Sequence, residues 1–100
     1  MPSSRAKTGK LPRLRLLFAT NVRLARIHAG LSQERLALEC GLDRTFIGSL
    51  EQGIRNISVD NIEVIASALK IPAHELLDAD LPETRGFDRT LLRVARRAPR

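Results

Sequence analysis

The sequence predicts an all-α domain of five helices with a strongly basic extension at each end. Apolar residues recur at three- and four-residue spacing, and glycines or capping residues separate the runs, as in a series of short helices. Aromatic residues make up only 3% of the chain, so Leu, Ile, Val and Ala must build the core. A length of 100 residues suffices for one such core and is too short for two.

Charge is distributed unevenly, although the net charge is +6. Residues 1–17 hold five basic and no acidic residues, and residues 85–100 hold six Arg and one Asp. Residues 18–84 hold six basic and ten acidic residues. A polyanionic partner is favoured, with the ends supplying much of the non-specific attraction. We therefore divide the chain into a flexible basic arm over 1–12, which is either a solvated tail or a DNA-following segment, a domain over 13–80 and a basic extension over 81–100.

The first predicted helix runs from about Leu14 to Ala29 and stops at Gly30. Its apolar residues recur at four- and three-residue steps, which buries one face. They are Leu14, Phe18, Val22 and Ala25.

Residues 33–52 predict two short helices joined at a tight corner. Ser32 caps the first of them, and Gly41 closes it in the left-handed conformation that glycine adopts without strain. Asp43 is a good N-cap for the second, which spans about 43–52. A helix, a short turn and a second helix form the helix-turn-helix motif, whose second helix enters the DNA major groove.

Two more helices are predicted after this motif. Ser58 caps a fourth helix over about 59–70, and Pro72 suits the first turn of a fifth that ends near Asp78. The fourth helix closes the core through Ile62, Ile65, Ala66 and Leu69.

Residues 18–77 resemble the XRE family, the lambda repressor–Cro type of helix-turn-helix protein. The matching pieces, in the expected order, are LSQERLA (31–37), Gly41, RTFIGSLEQG (44–53), Arg55-Asn56 and VIASALKI (64–71). Within the family, LDRTFIGSLEQGIRN (42–56) looks most like the controller proteins of restriction-modification systems. The resemblance implies a five-helix lambda-repressor-like DNA-binding domain.

The third helix is the candidate for reading bases. If Ile47 and Leu50 face inward, the helical step turns Arg44, Thr45, Gly48 and Ser49 outward as one surface. Arg44 can pair with guanine O6 and N7, and the two hydroxyls can bond to base edges or phosphates. Gly48 departs from the family, where a side chain that touches DNA is common, and it permits closer backbone approach instead. Phe46 is either a core residue or a DNA contact.

Five residues are assigned to the DNA backbone. Gln33 begins the second helix, where it is either a simple polar residue or a donor to a phosphate. Gln52, Arg55 and Asn56 follow the third helix, where relatives grip the sugar-phosphate backbone. Arg23, near the end of the first helix, completes the set.

The resemblance implies two further structural features. An ion pair between Arg26 and Glu51 would tie the first helix to the end of the third. Relatives also commonly dimerise through the region after the fourth helix. The candidates there, which otherwise belong to the intrachain core, are Ile71, Leu76, Leu77 and Leu81.

The extension over 81–100 leaves three alternatives open. Pro82 and Gly86 interrupt it, and apolar residues then recur at helical spacing among arginines, at Phe87, Leu91 and Val94. The segment is disordered, or an amphipathic helix that extends the dimer interface, or a basic helix that contacts DNA or an acidic partner.

The favoured function is a sequence-specific transcriptional regulator that binds double-stranded DNA as a homodimer on a pseudo-palindromic operator. The alternative is an antitoxin-type module that binds a protein partner through its C-terminal extension. An enzyme is disfavoured, because no nucleophile–base pair, carboxylate dyad or phosphate-binding glycine loop is present.

No cofactor, metal or membrane is expected to take part. His28 and His74 lack partners at metal-ligand spacing, and no run of about 18 apolar residues is present. The N-terminus has no secretory signal, and the single Cys40 cannot form an internal disulfide, so a cytoplasmic protein is expected.

Overall fold

The computed structural model describes residues 13–92, which form short helices around one core. In chain order they are α1 (Arg13–His28), α2 (Gln33–Cys40), α3 (Arg44–Glu51), α4 (Val59–Leu69), a 3₁₀ helix (Ala73–Leu77) and α5 (Leu81–Arg85). The described residues contain no strand, and the predicted all-α class is confirmed. The basic arm predicted over 1–12 lies outside them.

The core is apolar and is shared by all these helices. Its centre consists of fully buried aliphatic side chains, each of which stabilises the fold by roughly 1.5–3 kcal/mol relative to an exposed position. The largest are Val22 and Leu24 of α1, Leu36 of α2, Ile47 and Leu50 of α3, Ile65 of α4, Leu76 of the 3₁₀ helix and Leu81 of α5. Leu14 was predicted to lie on the buried face of the first helix. It is instead 55% exposed and lines an open groove with Ile57, Ile62 and Leu77.

Two of the predicted caps form. The Ser32 hydroxyl accepts the Arg35 amide at 3.0 Å, and the Ser58 hydroxyl accepts the Asn61 amide at 3.1 Å. Asp43 occupies the N-cap position of α3, but within residues 13–92 no amide donates to its carboxylate, and only its backbone carbonyl accepts the first amides of the helix. The predicted side-chain cap at Asp43 is therefore wrong.

The predicted fifth α-helix is a 3₁₀ helix. Glu75 N–H donates to Pro72 C=O, and Asp78 N–H donates to Glu75 C=O, the three-residue pattern that suits so short a run. Its end is tied to α1 by Asn21, which the sequence analysis missed. The buried Asn21 amide donates to the carbonyls of Leu76 and Asp78, both at 2.9 Å.

The folded domain continues beyond residue 80, where we placed its boundary. Leu81 and Pro82 are buried, and Phe87 stacks on His28 of α1 with ring centroids 4.6 Å apart. Asp88 N–H also donates to His28 Nε2 at 3.0 Å. Residues 81–92 thus fold against α1, whereas Val94 and the remaining extension lie outside the described residues.

Candidate DNA-binding face

The corner between α2 and α3 has the geometry of a glycine-closed helix end. Gly41 lies in the left-handed region at φ 69°, and its N–H donates to Leu38 C=O at 3.2 Å. Leu42 N–H then donates to Ala37 C=O at 2.9 Å, which completes a Schellman motif. This reversal needs only three residues, 41–43, before α3 begins, so it fixes the direction of α3 against α2.

One face of α3 is buried and the other is open. Ile47, Leu50 and Glu51 are buried, as their helical spacing predicts. Four residues predicted to contact DNA keep access to solvent: Arg44, Thr45 and Gln52 are exposed, and Ser49 is half-buried. Thr45 and Ser49 thus lie opposite the buried face, and Arg44 and Gln52 are exposed at the two ends of this short, braced helix.

Gly48 sits on the same face, beside Gln33 of α2. A Cβ built at Gly48 would lie 3.5 Å from Gln33 Oε1, so the Gln33 amide covers the gap that the missing side chain leaves. Gln33 Nε2 donates to Glu51 Oε1 at 3.0 Å, which holds the amide in this place. The sequence alone does not predict that Gln33 and Gly48 lie side by side, because they belong to different helices.

A buried ion pair anchors the far end of α3. Arg26 Nε lies 2.6 Å from Glu51 Oε2, and Arg26 Nη2 lies 3.0 Å from Glu51 Oε1. Arg26 Nη1 also donates to Leu31 C=O at 2.8 Å. This is the pair that the family resemblance implies, and it joins α1, the loop before α2, and α3.

Arg23 lies on the α1 stripe that faces the end of α3. Leu16 on this stripe contacts Gly53, Arg26 pairs with Glu51, and the seven- and three-residue spacings place Arg23 between them. Arg23, which is half-buried, therefore lies on the side of α1 that packs near the end of α3.

The loop after α3 is held at several points. Gly53 is buried, with φ 79°, and a Cβ there would lie 2.6 Å from Leu16 Cδ2. Ile54 N–H donates to Ser49 C=O at 3.3 Å, and Asn56 Oδ1 accepts Ile57 N–H at 2.9 Å. Asn56 therefore uses its side-chain oxygen to shape the loop, while remaining exposed at the surface.

Arg55 of this loop returns to the start of α3. Its guanidinium carbon lies 4.9 Å from the centroid of the Phe46 ring, a cation–π geometry. The Phe46 side chain is half-buried and also packs against the core. The sequence predicted that Phe46 is either a core residue or a DNA contact. Neither alternative predicts its contact with Arg55, nine positions later.

The residues predicted for dimerisation lie mostly inside the chain. Ile71, Leu76 and Leu81 are buried in the intrachain core, because the 3₁₀ helix and α5 pack on α1 and α4. Leu77 alone of that set is half-buried and lines the open groove with Leu14.

Residues 13–92 contain no group of three or more His, Cys, Asp or Glu side chains that could hold a metal ion. None of the helices in this part of the chain is both long enough and apolar enough to cross a bilayer. Burial, followed by the nearby Glu39 charge, raises the pKa of the Cys40 thiol, which favours its protonated and less reactive form.

Comparison with known proteins identifies the fold. Residues 22–76 match a family model described as helix-turn-helix. The chain belongs to the helix-turn-helix family, in its XRE type. The corner at Gly41 and the braced α3 are therefore the two halves of this motif.

Restriction-modification controller proteins are among the similar helix-turn-helix proteins. The chain is 50% identical over 66 residues to control protein C.BamHI of Bacillus amyloliquefaciens, a match that covers 65% of this chain and 82% of that protein. The crystal structure of the hypothetical transcription factor NHTF from Neisseria has a TM-score of 0.67 and 44% identity, covering 77% of this chain and 90% of that one.

A third relative was solved with DNA. It is the restriction-modification controller protein C.Esp1396I, a tetramer in complex with its natural 35 base-pair operator. It has a TM-score of 0.64 and 27% identity, covering 70% of this chain and 96% of that one. The predicted relationship to the XRE family and its controller proteins is confirmed.

Proposed function

We propose that this protein is a sequence-specific transcriptional regulator that binds operator DNA as a homodimer, with α3 in the major groove. The observation that carries the proposal is the division of α3 into two faces. Ile47, Leu50 and Glu51 are buried on one face of α3, whereas Thr45 and Ser49 on the other face, and Arg44 at the exposed first turn, keep access to solvent. A rigid helix with a polar outer face has the width and the hydrogen-bonding groups that the major groove accepts.

The residues divide into base-reading and backbone-holding groups. Arg44, at the first turn of α3, would pair with guanine, and Thr45 and Ser49 would contact neighbouring base edges or phosphates. Gln33 Nε2 already donates to Glu51, so its second N–H would be the donor to a phosphate, next to the free amides at the start of α2. The contacts assigned to phosphates are completed by Arg23, Gln52, Arg55 and Asn56.

A homodimer would read two half-sites. Two-fold symmetry places the two α3 helices about one DNA turn, about 34 Å, apart, so the operator would be a pseudo-palindrome. The tetrameric operator complex of C.Esp1396I supports an oligomeric mode of binding for this chain. Leu77 is the proposed interface residue, because it keeps apolar surface outside the intrachain core.

Selection from a random pool of double-stranded oligonucleotides, followed by footprinting, tests the proposal. We expect enrichment of one pseudo-palindrome, with two protected segments centred about 10 base pairs apart. The matched control is Lys70→Gln, which removes one exposed charge from the end of α4 opposite its Ser58 cap, and it should select the same site. Equal recovery of all sequences would refute sequence-specific recognition.

The cellular role follows from that binding. A regulator of this kind acts where the genome is, which in a bacterial cell is the cytoplasm. C.BamHI, the relative with 50% identity, carries the name of a control protein, and control of gene expression is the role proposed for this chain.

A further inference from the structure

We infer that Phe46 is a positioning residue for DNA binding, which holds the guanidinium of Arg55 beside the start of α3 before DNA arrives. The inference rests on the proposed function, because it assigns the exposed Arg55 side chain to a DNA phosphate. It gives Phe46 a role through Arg55, without a DNA contact of its own.

The distance between the two groups supports an electrostatic contact. The Arg55 guanidinium carbon lies 4.9 Å from the Phe46 ring centroid, within the range of about 6 Å over which a cation is attracted to an aromatic face. Arg55 is exposed and Phe46 is half-buried, so the ring is fixed on one side by the core and offers its remaining surface to the arginine.

The backbone already limits where Arg55 can reach. The Gly53 turn packs on Leu16, Ile54 N–H donates to Ser49 C=O, and the Asn56 side chain closes on the next amide. Because the loop backbone is held in this way, the Arg55 side chain is the main part that becomes ordered when DNA binds. A long side chain that is held in one place before binding loses less rotamer entropy when a phosphate binds it.

Position on α3 gives this contact its relevance to DNA. Phe46 directly follows Arg44 and Thr45, so a guanidinium on its ring lies close to the base-reading end of the helix. A planar guanidinium that stacks on a ring by its face keeps its N–H groups free at the edge, where they can donate to phosphate oxygens. Phe46 and Arg55 would thus act together beside Arg44 and Thr45 at the start of α3.

A double-mutant cycle measures this cooperation. Operator binding is titrated by fluorescence anisotropy for the wild type, Phe46→Leu, Arg55→Ala and the double variant, and each variant's melting temperature is recorded. Leucine keeps an apolar side chain of similar size, and it should weaken binding about two- to fivefold, the worth of an exposed cation–π contact. In the Arg55→Ala background the same change should have almost no effect.

Two further variants separate positioning from packing. Phe46→Tyr keeps the aromatic face and should bind as the wild type does. Phe46→Leu should keep the salt dependence of the wild type, because the number of neutralised phosphates is unchanged, whereas Arg55→Ala should reduce the slope by about one unit. A general loss of core packing would instead weaken binding equally with and without Arg55.

Proton chemical shifts of the Arg55 side chain test the contact in the absence of DNA. Protons above a ring face are shielded, so we expect upfield shifts in the wild type and in Phe46→Tyr that disappear in Phe46→Leu. If the wild type binds operator DNA but the two substitutions have additive effects, the positioning role is refuted and the proposed function stands. If the wild type selects no DNA sequence, the proposed function fails first and this role fails with it.

Discussion

Arg26 and Glu51 form a bidentate ion pair whose side chains are only 10% and 1% exposed. The same carboxylate accepts a hydrogen bond from Gln33 of α2. One acidic side chain at the end of α3 therefore holds the ends of the two helices that flank it. The orientation of Thr45 and Ser49 depends on this cluster, because the cluster fixes the tilt of α3 relative to α1 and α2.

Removing one partner of this pair should be strongly destabilising. Arg26→Ala leaves the Glu51 charge buried, and we expect the free energy of unfolding to fall by about 3–5 kcal/mol in urea titrations followed by circular dichroism. Arg35→Ala is the control, since Arg35 pairs with Glu39 at the surface and should cost about 0–1 kcal/mol. Equal losses in the two variants would contradict the assigned burial.

The helix-turn-helix could be predicted from sequence because local signals determine it. Gly41 closes α2, Ser32 caps it, and the spacing of Ile47 and Leu50 defines the inner face of α3. These signals act within a few residues, where propensity and spacing are informative.

Contacts between distant segments escaped the sequence analysis. Asn21 interrupts an apolar stripe without a local reason, and its partners are carbonyls 55 and 57 residues away. The contact of Phe46 with Arg55, and the packing of Phe87 on His28, likewise depend on how the chain returns. The Arg26–Glu51 pair was predicted only because related proteins contain one, since no spacing rule connects residues so far apart.

Gly53→Ala should destabilise the protein more than the same change at Gly30. Both glycines have positive φ, near 79° and 75°, so alanine costs about 1–2 kcal/mol at either position. At Gly53 the new Cβ would also lie 2.6 Å from Leu16 Cδ2, whereas no described atom lies within 4 Å at Gly30. Thermal unfolding of both variants measures the difference, and a larger loss at Gly30 would contradict the close packing of the loop on α1.

The segment over residues 88–90 should become less stable in acid. Hydrogen bonds from the Thr90 hydroxyl and amide hold the pKa of Asp88 below its ordinary value. Because the pKa of Asp88 is lower in the folded state, its contribution to stability is complete above the ordinary pKa of about 4. That contribution is lost as the pH falls through the folded-state pKa.

Nuclear magnetic resonance of the Asp88 side chain can follow this titration. We expect a midpoint below that of an unfolded peptide, and Thr90→Ala should raise it because the strongest donor is removed. The Glu83 side chain serves as an internal reference. Arg89 donates to its carboxylate and keeps the pKa of Glu83 low in both proteins. An unchanged Asp88 midpoint in Thr90→Ala would contradict the assigned cause.

Leu77→Glu should weaken the proposed homodimer without unfolding the monomer. Leu77 is half-buried beside an open apolar groove, and a charge placed in a covered interface would remove apolar burial worth about 1.5–3 kcal/mol. Sedimentation velocity should therefore show dissociation at concentrations at least tenfold higher than for the wild type. Leu38→Glu, at a position 69% exposed on α2, should leave the dimer intact. A Leu77→Glu protein that sediments as the wild type does would place the interface elsewhere.

Arg44→Ala and Arg55→Ala should weaken DNA binding in different ways. Arg44 begins the outer face of α3, and its loss should cost about 1–3 kcal/mol on the operator and relax preference at one base pair, because a guanine contact disappears. Arg55 is an exposed residue of the loop, and its loss should weaken operator and random DNA alike and flatten the salt dependence. Anisotropy titrations of both variants on both DNAs at several salt concentrations measure the distinction. If Arg44→Ala also lost the same affinity on operator and random DNA, the division between base reading and phosphate binding would be wrong.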